Sequence, residues 1–177
     1  MKLKFGLPVI ALAALFYSCD KKEDPEPDEN ELITTIKLVL TSGTQTKTFL
    51  WKDLDGDGGK APVITGDTLS KKTTYSYALT FLDESKTPAE DVTAEIREKA
   101  NEHLVVFTPN PSNLLTVTIT DKDSKNLPLG LSGTIATVDS TKNGVLKIRL
   151  RHQPGTKDGS AVPGSDDANI DFPIFIK

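Results

Sequence analysis

The chain has 177 residues, a formal net charge of −4 at pH 7, one cysteine and two histidines. An acidic chain that gathers no Lys or Arg against phosphates excludes nucleic acid as a partner, and a single cysteine excludes a disulfide framework. The length suits one domain stabilised by its own core.

The chain opens MKLKFGLPVIALAALFYSCDKK. Lys2 and Lys4 form a positive n-region, and the apolar run from Phe5 to Phe16 is too short for a bilayer crossing of about 20 residues. It fits a secretory h-region. Ser18-Cys19 resembles the lipobox of bacterial lipoproteins, in which the thiol is acylated and becomes the mature N-terminus. An unpaired thiol in an exported protein calls for such an explanation; the alternative is a free cysteine after an ordinary signal peptide. Residues 1–18 are thus expected to be a lipoprotein signal peptide. Residues 19–31 are expected to be the acylated Cys19 and an acidic flexible tether, DKKEDPEPDENE, whose composition builds no core. Fatty chains then hold the domain to a membrane. Lys22-Glu23-Asp24 resembles the export signal of Bacteroidetes surface lipoproteins, a solvated tether being the equal alternative. Cleavage leaves 177 − 18 = 159 residues and a charge of −4 − 2 = −6.

From Leu32 to the C-terminus the pattern predicts one β-rich domain, 32–177. Runs with the alternation or β-branched content of strands occur at 33–41, 46–52, 74–83, 103–108, 114–121, 131–138, 144–151 and 170–177. Ser42-Gly43-Thr44 and Lys142-Asn143-Gly144 read as hairpin turns. The expected fold is mainly β: an antiparallel, Ig-like β-sandwich of about eight or nine strands. One short crossover helix is expected around 88–101. Thr87 serves there as N-cap, Pro88 as first helical residue and Glu90 as partner in a capping box. Val92, Ile96 and Ala100 form its apolar stripe, and Glu95 with Lys99 a supporting pair. An irregular edge strand is the rival reading.

WKDLDGDGG carries Asp53, Asp55 and Asp57 at alternate positions before Gly58, as in the first half of a calcium loop. Position 12 of an EF-hand is Ile64 here and Pro62 obstructs a following helix, so any calcium site lies in a loop between strands. Asp121 and Asp123 are the candidates to complete it; an acidic β-turn is the alternative. Glu102-His103 opens one strand and His152 closes another before a polar loop with Asp158, Asp166, Asp167 and Asp171. Were the strand ends neighbours, Glu102, His103 and His152 would form a site for zinc or another transition metal with one loop aspartate. Nothing in the sequence shows that they meet, and each histidine also suits a surface position. No G-x-S-x-G or H-E-x-x-H is present, and acylation leaves no mature thiol, so a non-enzymatic chain is expected.

WKDLDGDGGKAPVITGDTL, LDESKTPAEDVTAEI, NEHLVVF, TDKDSKNLPLGL, GVLKIRLRHQP and DFPIFIK, in this order, resemble a Bacteroidetes family of small lipoproteins. Its members carry the label "type 1 periplasmic binding fold superfamily protein". That fold needs two α/β lobes, which about 150 β-rich residues with one helix cannot build. The resemblance implies that residues corresponding to Asp53, Asp55, Asp57, His103 and His152 are also present in the family, and a place beside TonB-dependent receptors and metal uptake. The expected function is therefore an outer-membrane lipoprotein, surface-exposed or periplasm-facing, that binds a metal ion or small metal complex and passes it to a TonB-dependent receptor. A structural, adhesion or assembly module with at most a structural calcium ion is the alternative.

Overall fold

The computed structural model describes residues 32–56 and 59–177. The expected signal peptide, Cys19, the tether and Asp57 lie outside the described residues. Ten strands and one helix follow in order: β1 (Thr35–Ser42), β2 (Gln45–Lys52), β3 (Val63–Gly66), β4 (Thr68–Leu69), β5 (Thr74–Leu82), α1 (Val92–Glu98), β6 (His103–Asn110), β7 (Leu115–Ile119), β8 (Ser132–Thr137), β9 (Lys142–His152) and β10 (Ser165–Ile176). They form a sandwich of two sheets, one ordered β3-β2-β1-β5-β8-β7 and the other β4-β10-β9-β6. Among the described residues the strand pairings are antiparallel except β4, which runs parallel to the end of β10. The likeness to an immunoglobulin domain lies in this architecture; the strand orders are the chain's own.

Period-2 alternation sets the faces. Ile36, Leu38 and Leu40 of β1 and Tyr75, Tyr77, Leu79 and Phe81 of β5 point inward from the six-stranded sheet. Leu146, Ile148 and Leu150 of β9 and Ile170, Phe172, Ile174 and Ile176 of β10 answer from the four-stranded one. Phe49 meets Phe172 edge to face at 5.9 Å, and Tyr77 meets Phe107 at 5.2 Å. Each fully buried Leu, Ile or Phe contributes about 1.5–3 kcal/mol, enough to hold the sheets together without a covalent cross-link.

Two expectations about turns and caps need correction. Lys142-Asn143-Gly144 is not a hairpin turn but the start of β9, where Asn143 pairs with Phe175 and Gly144 with Ile174. The chain before it crosses between sheets. Gly144 serves close approach: a Cβ there would lie 2.4 Å from the Asn110 carbonyl oxygen. By contrast, the Ser42–Gln45 hairpin forms as expected, with Gly43 at φ 57° in a two-residue turn.

The helix is shorter than 88–101 because its N-cap is Asp91, not Thr87. The Asp91 carboxylate accepts from the Thr93 N–H at 3.0 Å, a favoured N-cap arrangement. Glu90, read as the capping-box partner, instead exchanges two backbone hydrogen bonds with Asp83. Val92 and Ile96 are buried, Ala100 is half-buried, and Lys99 reaches Glu95 at 2.7 Å. The Thr93 hydroxyl fastens the helix to β5 by accepting from Phe81 N–H and donating to Phe81 C=O. The helix thus links β5 to β6, one strand from each sheet. No described helix is long and apolar enough to cross a membrane.

Candidate metal centre at one end of the sandwich

The antiparallel register of β6 with β9 sets His103 directly opposite His152, followed by Val105 with Leu150 and Phe107 with Ile148. Both histidines therefore continue the inward-facing series, at the end where apolar residues give out. Their rings stack, with centroids 4.9 Å apart and planes 9° from parallel. His103 is 1% exposed. Its Nδ1 lies 3.1 Å from the Lys99 carbonyl oxygen, an atom that only accepts, so Nδ1 carries the hydrogen and Nε2 the lone pair in the neutral ring. That Nε2 lies 3.6 Å from Asp167 Oδ2, and His152 Nε2 lies 3.9 Å from Glu102 Oε2.

Asp167 is inside because β10 is irregular. Its inward series runs Phe172, Ile170, Ala168, which by alternation would put residue 167 outside. The register slips between Asp166 and Ala168, so Asp167 is an extra residue opposite β9. Such a bulge re-aims a side chain, and this one turns a carboxylate between the sheets. The Asp167 side chain is 1% exposed, and neither oxygen accepts a hydrogen bond.

Asp158, Asp166 and Asp171 have other employment. The Asp166 carboxylate accepts from Arg151 Nη1 at 2.6 Å, Asp171 pairs with Lys147 at 2.9 Å, and Asp158 caps Ser160 N–H at 2.7 Å. Arg151 also donates to the Pro163 and Gly164 carbonyls, at 2.7 and 2.5 Å. Gln153 donates to Ser160 and Pro163. Lys157, its side chain fully buried, reaches the Ala100 carbonyl and Asp123 Oδ2, both at 2.8 Å. These three side chains pin the 153–164 loop, which holds Asp167 against the histidines.

The two candidate metal sets fare differently. Glu102, His103 and His152 are brought together with one aspartate from the loop region, Asp167. As they stand, no group of three or more His, Cys, Asp or Glu side chains among the described residues is arranged to hold a metal ion. Stacked rings hold their lone pairs in two separate, nearly parallel planes, so one imidazole must rotate before both can ligate one ion in plane at about 2.0–2.1 Å.

Asp121 and Asp123 are not brought to Asp53. The strands β1, β5 and β8 intervene between β2 and β7, about 19 Å at four steps of about 4.8 Å. Asp121 accepts instead from the N–H groups of Gly130, Leu131 and Ser132, and Asp123 from those of Lys125 and Leu127. Burial pushes the Asp123 carboxyl up, but Lys157 and these N–H groups outweigh it and hold it below the usual range. Asp55 accepts from Lys60 N–H at 2.9 Å and is exposed, while Asp53 accepts from Gly56 N–H at 3.1 Å and turns toward a cleft. This cleft, of about 340 Å³, has Thr34, Trp51 and Asp53 on one side and Asp167 with its neighbours in β10 on the other.

Asp167 was only one of four equivalent aspartates in the sequence, since nothing in Ser165-Asp166-Asp167-Ala168 marks a bulge. Arg151, Gln153 and Lys157 gave no signal, because their partners are mostly carbonyls of a loop. Comparison of the chain with protein-family models, curated proteins and solved structures finds no match.

Proposed function

We propose that this chain is an outer-membrane lipoprotein, anchored through Cys19, that binds a metal ion or small metal complex without chemical turnover. It passes the ion to a TonB-dependent receptor. The lipobox-like Ser18-Cys19 and the resemblance to small Bacteroidetes lipoproteins support the location and the partner. Metal binding rests on one observation: two stacked imidazoles on paired strands, each with a carboxylate within 4 Å, His103 with Asp167 and His152 with Glu102. Imidazole and carboxylate together suit zinc or a similar ion. The Nδ1–H of His103 bound to a carbonyl is the usual means of orienting a ligating ring.

Zinc titration of the chain from residue 20 onward, followed by calorimetry, tests this. Saturable binding is expected, weakened about 10–100-fold by His152→Ala or Glu102→Gln. Both side chains are partly exposed, so their replacement leaves the core intact. The structural or adhesion reading is favoured by Asp121 and Asp123, whose carboxylates are taken up by backbone N–H groups of their turns and, for Asp123, by Lys157. A chain that takes up no zinc leaves that second reading standing.

A further inference from the structure

We infer that the cleft between the loop after β2 and the bulge of β10 is a site for a hard divalent cation of the calcium type, meeting the imidazole pair at Asp167. Asp53 and Asp167 are its carboxylate ligands, one from each sheet. This reading does not depend on zinc binding by the imidazoles.

Three observations converge on the cleft. First, the described residues lining it include aspartates and no Lys, Arg or His. Of these aspartates, Asp166 is neutralised by Arg151. Second, the Asp167 carboxylate is almost wholly buried and accepts no hydrogen bond. The nearest ring nitrogen, His103 Nε2, is 3.6 Å away, beyond hydrogen-bond distance. A buried carboxylate without a donor is costly, and a cation removes that cost. Third, Asp53 uses Oδ1 for Gly56 N–H and keeps its charge facing the same space.

Room and chemistry agree. A cleft of about 340 Å³ accommodates about ten waters at about 30 Å³ each, so an ion enters with much of its hydration shell. Calcium takes six to eight oxygens in flexible geometry and accepts carbonyl and water ligands alongside carboxylates. The ligand set therefore differs from a contiguous D-x-D-x-D loop. Asp55 is turned away to close its own turn, and the second carboxylate comes from a strand more than a hundred residues later in the sequence.

Trp51, the chain's single tryptophan, lines the cleft and reports on it. Calcium chloride added to the chelator-treated chain from residue 20 onward is expected to change Trp51 emission along a saturable curve and to raise Tm. Half-effect is expected on the order of 10⁻⁴–10⁻³ M, as in extracellular calcium modules. Asp167→Asn and Asp53→Asn should each shift the curve about tenfold or more to higher calcium. Asp171→Asn, on a carboxylate paired with Lys147, should leave it in place. Asp53 lies on a partly exposed loop, so that variant tests the site even if Asp167→Asn folds poorly. Flat emission and an unmoved Tm overturn the inference, as do Asp53→Asn and Asp167→Asn curves that overlie the parent's. Zinc titration of the same sample separates the two readings. Calcium response without zinc uptake sinks only the imidazole site, and zinc uptake without calcium response sinks only this one.

Discussion

His103 and His152 sit 49 positions apart in the sequence yet stack ring on ring, 4.9 Å between centroids, because β6 and β9 pair with these two residues directly opposed. Opposed side chains on one face of an antiparallel pair interact by roughly 0.2–1 kcal/mol. A double-mutant cycle of His103→Ala and His152→Ala in urea should therefore show non-additivity of that size. Strict additivity would contradict the stack.

Lys157 and Asp123 make an ion pair with both side chains fully buried. Lys157→Met leaves the carboxylate buried without its cation and is expected to cost about 3–5 kcal/mol in urea unfolding. The pH dependence has a definite sign. The Asp123 carboxyl titrates lower in the folded chain than its ordinary value, so its contribution is complete above about pH 4 and disappears as pH falls through the lowered value. Urea midpoints taken downward from neutral pH should fall on that acid limb, and the fall should be shallower in Lys157→Met. Identical acid limbs in parent and variant would rule the pair out as its cause.

Tyr77 gives the complementary test at high pH. Burial pushes its phenol up, and the Asp121 carboxylate adds to the shift. The hydroxyl donates to the Gly130 carbonyl at 3.3 Å. A group whose value is raised on folding stabilises below its unfolded value of about 10 and loses that contribution as pH rises further. Absorbance at alkaline pH should show this phenol ionising only as the sandwich unfolds. Tyr77→Phe should remove part of the alkaline sensitivity; ionisation well before unfolding would contradict the assignment.

Much of the sandwich was legible in the sequence because inward residues alternate cleanly in β1, β5, β9 and β10. Pairing was not legible, since it depends on contacts between residues far apart. That is why the histidines could be named as candidates but not joined. The two short strands β3 and β4 leave no mark in the sequence for local reasons: β3 is exposed along its whole length, so no alternation marks it, and β4 has only two residues. Asp91 as N-cap was hidden by Thr87-Pro88, a stronger helix-start signal in the sequence. It was overridden by the tertiary bridge between Asp83 and Glu90.

Arg151 fixes the loop before β10 with a planar fork, reaching Asp166 and the carbonyls of Pro163 and Gly164. A lysine offers one compact charge and no fork. Arg151→Lys is expected to increase amide hydrogen exchange across the 160–166 segment, by a factor of about ten for each 1.4 kcal/mol lost, while β1 and β5 stay protected. Unchanged protection at 160–166 would show that the loop is held by other contacts.

Cys19 is the residue on which the expected location depends. Cys19→Ser should abolish incorporation of labelled palmitate and move the protein from membrane to soluble fractions, because acyl chains supply the anchoring free energy. Membrane retention of the variant without label would contradict lipidation as the anchor.

The bulge in β10 makes Asp167 supernumerary. Delete that residue and Asp166 and Ala168 become consecutive partners of Arg151 and Leu150, closing a regular ladder. The domain's shape and the carboxylate it turns between its sheets at this point are therefore separable by the loss of a single codon. A descendant without it would inherit the same sandwich without this carboxylate, so similarity of fold alone is no guide to whether a relative shares this cleft.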